Sequence, residues 1–123
     1  MAKSEADSGP LAGWRVIDLS GEIAGPYCSK LLADAGADVI KVEDPDGDPL
    51  RRFTACHRAL AEGEDGVLFQ FLNTSKRAIT LDPFEAEDRE TIIALAAGAD
   101  LPVSYTHLRA HETLRYLVCR LLL

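Results

Sequence analysis

The residues whose types and spacing can do chemistry here are two glycines, a proline and a pair of cations. Ser20-Gly21-Glu22-Ile23-Ala24-Gly25-Pro26 sets turn-forming residues between a β-branched run and an apolar-periodic one, where a strand hands over to a helix. A helix start at such a junction offers unpaired N–H groups and positive potential to phosphates and carboxylates. Gly21 and Gly25 would equally serve a tight turn with no ligand. Glu43 stands about 20 residues beyond the loop, where a dinucleotide-binding fold carries its ribose-binding acid. The loop lacks G-x-G-x-x-G spacing, however, which argues against a nicotinamide or flavin site. Adjacent Lys76 and Arg77 form the best basic pair, suited to the phosphates of a nucleotide-like ligand or to a solvated turn. Arg51-Arg52 read as solvated charges that would neutralise phosphate only if close to the crevice. Cys56 and His57 are sequence neighbours pointing different ways and make no catalytic pair. His107 and His111 stand at i, i+4 without a third ligand, so no metal site is expected.

These residues need elements to position them. Val16-Ile17-Asp18-Leu19 reads as a strand. A helix follows, with Pro26 in its first turn, Cys28, Leu31, Leu32 and Ala35 on an apolar stripe, Lys30 and Asp34 facing water, and Gly36 as a left-handed cap. Cys28 on that stripe is expected to be a buried structural thiol. Asp38 to Glu43 returns as a second strand, parallel to the first because the connection is a helix. Asp44 to Pro49 is an acidic, turn-rich loop. Arg58 to Glu62 can form a helical turn ended by Gly63, and Glu62 to Asp65 reads as a solvent-exposed acidic turn. Val67 to Leu72 is apolar and expected to be buried. Ala78 to Asp82 reads as a strand. Asp82 and Pro83 then open a helix over Phe84 to Ala97, with Ile92, Ile93 and Ala96 on its apolar face and Gly98 as its stop. Ala99-Asp100-Leu101 opens a further strand.

The chain has 123 residues, 47% hydrophobic and 27% charged, which fits one ordinary globular domain. A net charge of −7 argues against nucleic-acid or anionic-membrane partners, because both reward clustered Lys and Arg. No apolar run is long enough to cross a bilayer, and Met1 to Gly9 carries no signal-peptide core. Three widely spaced cysteines, Cys28, Cys56 and Cys119, fit a reducing, cytoplasmic setting.

Three runs, VIDLS, AGPYCSKLLADAGADVIKVEDPDGDPLRR and FQFLNTSKRAITLD, resemble in order and spacing the amino-terminal part of the class III (CaiB/BaiF) CoA-transferases. Formyl-CoA transferase, carnitine CoA-transferase and α-methylacyl-CoA racemase belong to that family. The resemblance covers roughly Leu11 to Leu101. It implies an α/β fold, a Rossmann-like parallel sheet with flanking helices, incomplete here because only the amino-terminal part of the large domain is present. It further implies transfer of CoA from an acyl-CoA to a carboxylic acid through mixed anhydrides and a thioester on one aspartate. That aspartate belongs to a later segment, so no catalytic residue is expected in this chain, which should bind CoA weakly at most.

Carried over by position, the resemblance places CoA contacts at Ile23, Ala24 and Gly25 in the first loop, at Lys76 and Arg77 in the Asn-x-x-Lys-Arg turn, and at Leu81 near the adenine. Gly21 replaces a histidine of formyl-CoA transferase, which weakens the case for oxalate or formate as substrate. Asp44 replaces a CoA-binding arginine, and Phe84 a lysine. After Leu101 the expected Glu-Asn-Phe-Arg type turn is missing. Residues 102–123 therefore read as a non-native extension, residues 1–10 as a flexible terminus, and residues 11–101 as the family's share. Leu114, Leu117, Val118 and Leu121 would give the extension an amphipathic helix without functional meaning. The whole enzyme should be an interlocked homodimer with CoA as co-substrate and no metal. The racemase branch and a non-catalytic α/β nucleotide-binding or interaction module are the alternatives. The isolated piece, with sheet edges uncovered, is expected to aggregate or to remain partly molten.

Overall fold

The computed structural model describes residues 9–104. The expectations for the N-terminal eight residues, the His107/His111 pair, Cys119 and the amphipathic tail lie outside the described residues. Strands β1 (Arg15–Asp18), β2 (Asp38–Glu43), β3 (Arg77–Thr80) and β4 (Leu101–Val103) form one parallel sheet in the order β3-β2-β1-β4. The helices are α1 (Ala24–Asp34), α2 (Val67–Asn73) and α3 (Ala86–Ala97), with a 3₁₀ turn at Pro49–Arg52. The architecture is therefore α/β with a Rossmann-like parallel sheet, as the resemblance implies. Among the described residues no helix is long and apolar enough to cross a membrane.

The β1-α1-β2 unit stands as read, with β1 shifted one residue toward the N-terminus so that Leu19 falls outside it, and pairing Val16 with Val39 and Asp18 with Lys41. In a parallel pair such partners point to the same face. That face is apolar at its base, where Val16 and Val39 meet Ala33 and Ala37 in the core, and charged at its top, where Asp18, Lys41 and Glu43 are all buried. β4 is tied to β1 at both ends: the Arg15 amide donates to the Asp100 carboxylate at 2.8 Å, and the Leu19 amide to the Val103 carbonyl at 2.8 Å.

Helix α1 does not bury the expected stripe. Its buried residues are Gly25, Pro26, Ser29 and Ala33, while Cys28 and Leu31 are exposed and Leu32 and Ala35 are half-buried. Small side chains let the helix axis approach the sheet closely, so the larger apolar residues rotate outward and the Cys28 thiol is not a core group. Nor does Lys30 simply face water: it pairs with Asp34 at 2.6 Å and its ammonium lies 5.0 Å from the Phe71 ring centre.

Three further segments differ from expectation. Val67 to Leu72 is a short helix that buries only Phe69 and Leu72, one turn apart, and exposes Val67 and Phe71. Helix α3 begins at Ala86, not Phe84; the Asp82 carboxylate accepts from the Phe84 amide at 2.9 Å and so organises the preceding turn. Arg58 to Glu62 is not helical, and the acidic run after it is not simply solvated, because Glu64 pairs with Arg58 and Asp65 with Arg51.

Gly36 closes α1 with φ at +100°, and a Cβ there would lie 2.9 Å from the Gly9 Cα. Left-handed backbone costs a side-chain-bearing residue about 1–2 kcal/mol. Gly36→Ala is expected to lower stability by at least that amount, seen as a lower urea midpoint at unchanged slope.

Candidate functional site

The carboxyl end of the sheet buries a cluster of acidic and basic side chains from four segments: Asp18 of β1, Lys41 of β2, Asp48 before the 3₁₀ turn and Lys76 before β3. Asp18 ends β1 with no exposed surface. Its Oδ1 accepts from the Ser20 amide at 2.9 Å and from the Ser20 hydroxyl; its Oδ2 accepts from the Ser29 hydroxyl at 2.5 Å and from Lys76 Nζ at 3.1 Å. Burial alone would raise this carboxyl. The two serine hydroxyls and the charges of Lys41 and Lys76 outweigh it and hold Asp18 below the usual aspartate value.

Lys41, 2% exposed, donates to the Ser20 carbonyl at 3.0 Å and lies 3.0 Å from Asp48 Oδ2. That Asp48 oxygen is in ion-pair range of Lys41 but has no aligned hydrogen bond among the described residues. The other Asp48 oxygen accepts from the Leu50 amide at 2.9 Å and so opens the 3₁₀ turn. Lys76 comes from the turn before β3 and reaches back under α1. Its ammonium donates to Asp18, to the Pro26 carbonyl at 2.9 Å and to Asn73 Oδ1 at 2.9 Å. Burial pulls the Lys76 ammonium below the ordinary lysine value, Asp18 opposes this, and Lys41 adds to it. Three acceptors around one nitrogen nevertheless require the charged form.

Glu43 belongs to a second group. Arg51 grips both its oxygens, at 2.8 and 2.7 Å, donates to Asp65 at 2.7 Å, and lies 4.1 Å from the Phe69 ring centre. Burial would raise Glu43, yet the hydrogen bond from Arg51, with help from the Asp48 amide, carries it below the usual glutamate value. Neither Glu43 as a ribose acid nor Arg51 as a solvated charge matches this arrangement, since each is engaged by the other. Arg52 is exposed and donates to the Asp46 carbonyl.

The residues expected to touch a ligand divide. Ile23, at the N-cap of α1, is 54% exposed, and Ala24 beside it is exposed. Gly25 is buried so tightly against Ser20 that a Cβ would collide with the serine side chain. Helix geometry leaves the amides of Ala24 and Gly25 without intrahelical acceptors. Lys76 and Arg77 do not form a pair. Lys76 points into the buried cluster, whereas Arg77 is 65% exposed and bonds both oxygens of Asp38, at the amino end of β2. Leu81 is buried, its amide bonded to the Glu43 carbonyl at 3.0 Å. Asp44 and Phe84 are exposed. Asp18, Ser29, Lys41 and Asp48 were not singled out from sequence. The signal for Lys41 was present in Asp38 to Glu43, where alternation puts it on the face of Val39.

A parallel α/β sheet with a glycine-tightened loop at its carboxyl edge shares the arrangement of open α/β folds, whose ligands bind outside that edge. Sequence comparison makes this specific: the model of CoA-transferase family III matches residues 11–115, and the chain belongs to that family. The succinyl-CoA:mesaconate CoA-transferase of Haloarcula hispanica is 45% identical over 95 residues, which cover 77% of this chain and 24% of that protein. The formyl-CoA:oxalate CoA-transferase of Escherichia coli is 39% identical over 102 residues, covering 81% and 23%. A CaiB/BaiF family protein from Brucella suis superposes with a TM-score of 0.79 at 32% identity, over 92% of this chain and 31% of that one. The chain thus spans about a quarter of the length of the curated relatives it matches.

Asp18→Asn is expected to cost about 3–5 kcal/mol, because it removes the charge facing a buried ammonium. Adding Lys76→Met should recover part of that loss in a double-mutant cycle by urea unfolding. A pH series provides a second check. The folded values of Asp18 and Glu43 both lie below their ordinary 3.8 and 4.5, so the unfolded chain binds more protons there. Their stabilisation is complete above those ordinary values and is lost as pH falls below them and through the lowered folded values, and Asp18→Asn should flatten the acid limb of stability against pH.

Proposed function

We propose that this chain is the CoA-binding amino-terminal portion of an enzyme that moves CoA between an acyl-CoA and a carboxylic acid. The observation carrying the reading is family membership together with the loop at the carboxyl end of β1, where Ile23 and Ala24 are exposed and Gly25 is pressed onto Ser20. In this reading the amides of Ala24 and Gly25 and the exposed surface of Ile23 meet the CoA moiety, and Leu81 supports the adenine from beneath. Lys76 acts from within. Arg77, paired with Asp38 at the opposite end of the sheet, plays no part in first contact.

A carboxylate is suited to the reaction because its attack on a thioester carbonyl breaks the C–S bond, releases CoA as thiolate, and leaves an anhydride reactive enough to be reopened. The nucleophilic aspartate is assigned to a segment beyond this chain. The complete enzyme is read as an interlocked, cytoplasmic homodimer, and the acceptor acid is left unassigned. Relatives act on mesaconate and on oxalate by their names.

Calorimetric titration with CoA should give a weak but saturable one-to-one isotherm. Ile23→Asp, which sets a carboxylate on the loop against an anionic ligand, should weaken binding at least tenfold. Absence of saturable CoA binding by the folded chain would overturn the reading. Incubation with succinyl-CoA and a free dicarboxylate should give no CoA exchange; turnover by the chain alone would refute the placement of the nucleophile beyond it.

A further inference from the structure

We infer that Lys41 and Lys76 are positioning residues: two buried ammonium groups that clamp the loop of residues 20–23 from both sides, one at its first residue and one at the first turn of α1 that follows it, and so hold it in the shape that receives CoA. The inference rests on the CoA-binding reading for its ligand but not for its geometry. Lys41 donates to the carbonyl of Ser20, the first residue of the loop, and Lys76 to the carbonyl of Pro26, in the first turn of α1 just beyond the loop's end. Both side chains are almost fully buried. An ammonium has three protons to give, and those of Lys76 go to Asp18, Pro26 and Asn73, which leaves none for a phosphate.

Asp18 links the clamps, since it bonds the Ser20 amide and hydroxyl, the Ser29 hydroxyl one turn into α1, and Lys76 itself. Between the clamped ends the chain passes through Glu22 with φ at +59°, a conformation that side-chain-bearing residues adopt only when their surroundings impose it. The clamps supply that constraint, and Gly25 allows the ends to close. A loop ordered in advance binds its ligand without meeting the ordering cost at that moment.

A clamp and a phosphate ligand respond differently to the same substitutions. A direct ligand would be replaced well by arginine, and its loss would reduce the salt dependence of binding. A clamp needs three acceptors converging on one nitrogen, which a planar guanidinium cannot satisfy. Hydrogen exchange and CoA titration at several salt concentrations should therefore be run on wild type, Lys76→Met and Lys76→Arg. Both variants are expected to speed exchange of the Ser20 and Tyr27 amides tenfold or more, with the β1–β2 ladder unchanged. Both should weaken CoA binding about tenfold with an unaltered salt slope. Unchanged loop exchange, or loss of affinity in Lys76→Met with a shallower salt slope and recovery in Lys76→Arg, would overturn the clamp. If Lys76→Met unfolds the chain, Asn73→Ala, which removes one acceptor, should speed the same amides more modestly; no change there also overturns it. Absent CoA binding by wild type would remove the ligand reading, while the exchange data still decide the clamp.

Discussion

A carboxylate with no exposed surface ends the first strand, and the upper half of the structure is arranged to keep it charged. Asp18 would be expensive to bury alone. It is tolerable because two hydroxyls, an amide and an ammonium converge on it from three parts of the chain: the loop, the first helix and the turn before β3. Satisfying one ion thus fixes the mutual placement of a strand, a helix and a segment 58 residues downstream. Such a network stabilises little against an apolar equivalent, but partial satisfaction is costly, which gives it the power to specify one arrangement.

The same face of the sheet changes character along its length. Val16 and Val39 at the base make an ordinary core with Ala33 and Ala37, and Asp18 and Lys41, two residues further along their strands, make an ionic one. Helix α1 spans both halves by matching them, with Ala33 over the valines and Ser29 and Gly25 over the charges. Beyond it, Arg51 ties Glu43 to Asp65 and stacks on Phe69, so the irregular stretch between the 3₁₀ turn and α2 is anchored at the top of β2.

Periodicity carried the outline well. The βαβ unit, the left-handed Gly36 and the strand after Lys76 all announce themselves through local chemistry, such as β-branched runs, a proline in a first helical turn and a glycine at a helix end. The buried face of α1 was illegible for a physical reason: its contacts are made by Gly25, Ser29 and Ala33, which a reading weighted by side-chain size treats as filler. The candidate site was half legible. Its loop is marked by glycine and proline, but its ionic floor depends on pairings between residues far apart in sequence, which local spacing does not encode. Lys41 was within reach, because an inward charge in a strand otherwise facing the core demands a partner. Asp48 was not, since its role depends on how an irregular loop folds back.

The divergence of Lys76 and Arg77 has a consequence for pairing fidelity. One residue enters the buried cluster at the carboxyl end of β1, and its neighbour holds Asp38 at the amino end of β2. A slip of β3 by a single residue would offer the cluster a guanidinium too large and too flat for its three acceptors, and would leave Asp38 facing Ala78. β3 is exposed at all four positions, so hydrophobic contact does little to choose its alignment. Two unlike cations, back to back, act as a key that fits its lock in one register and jams in the next.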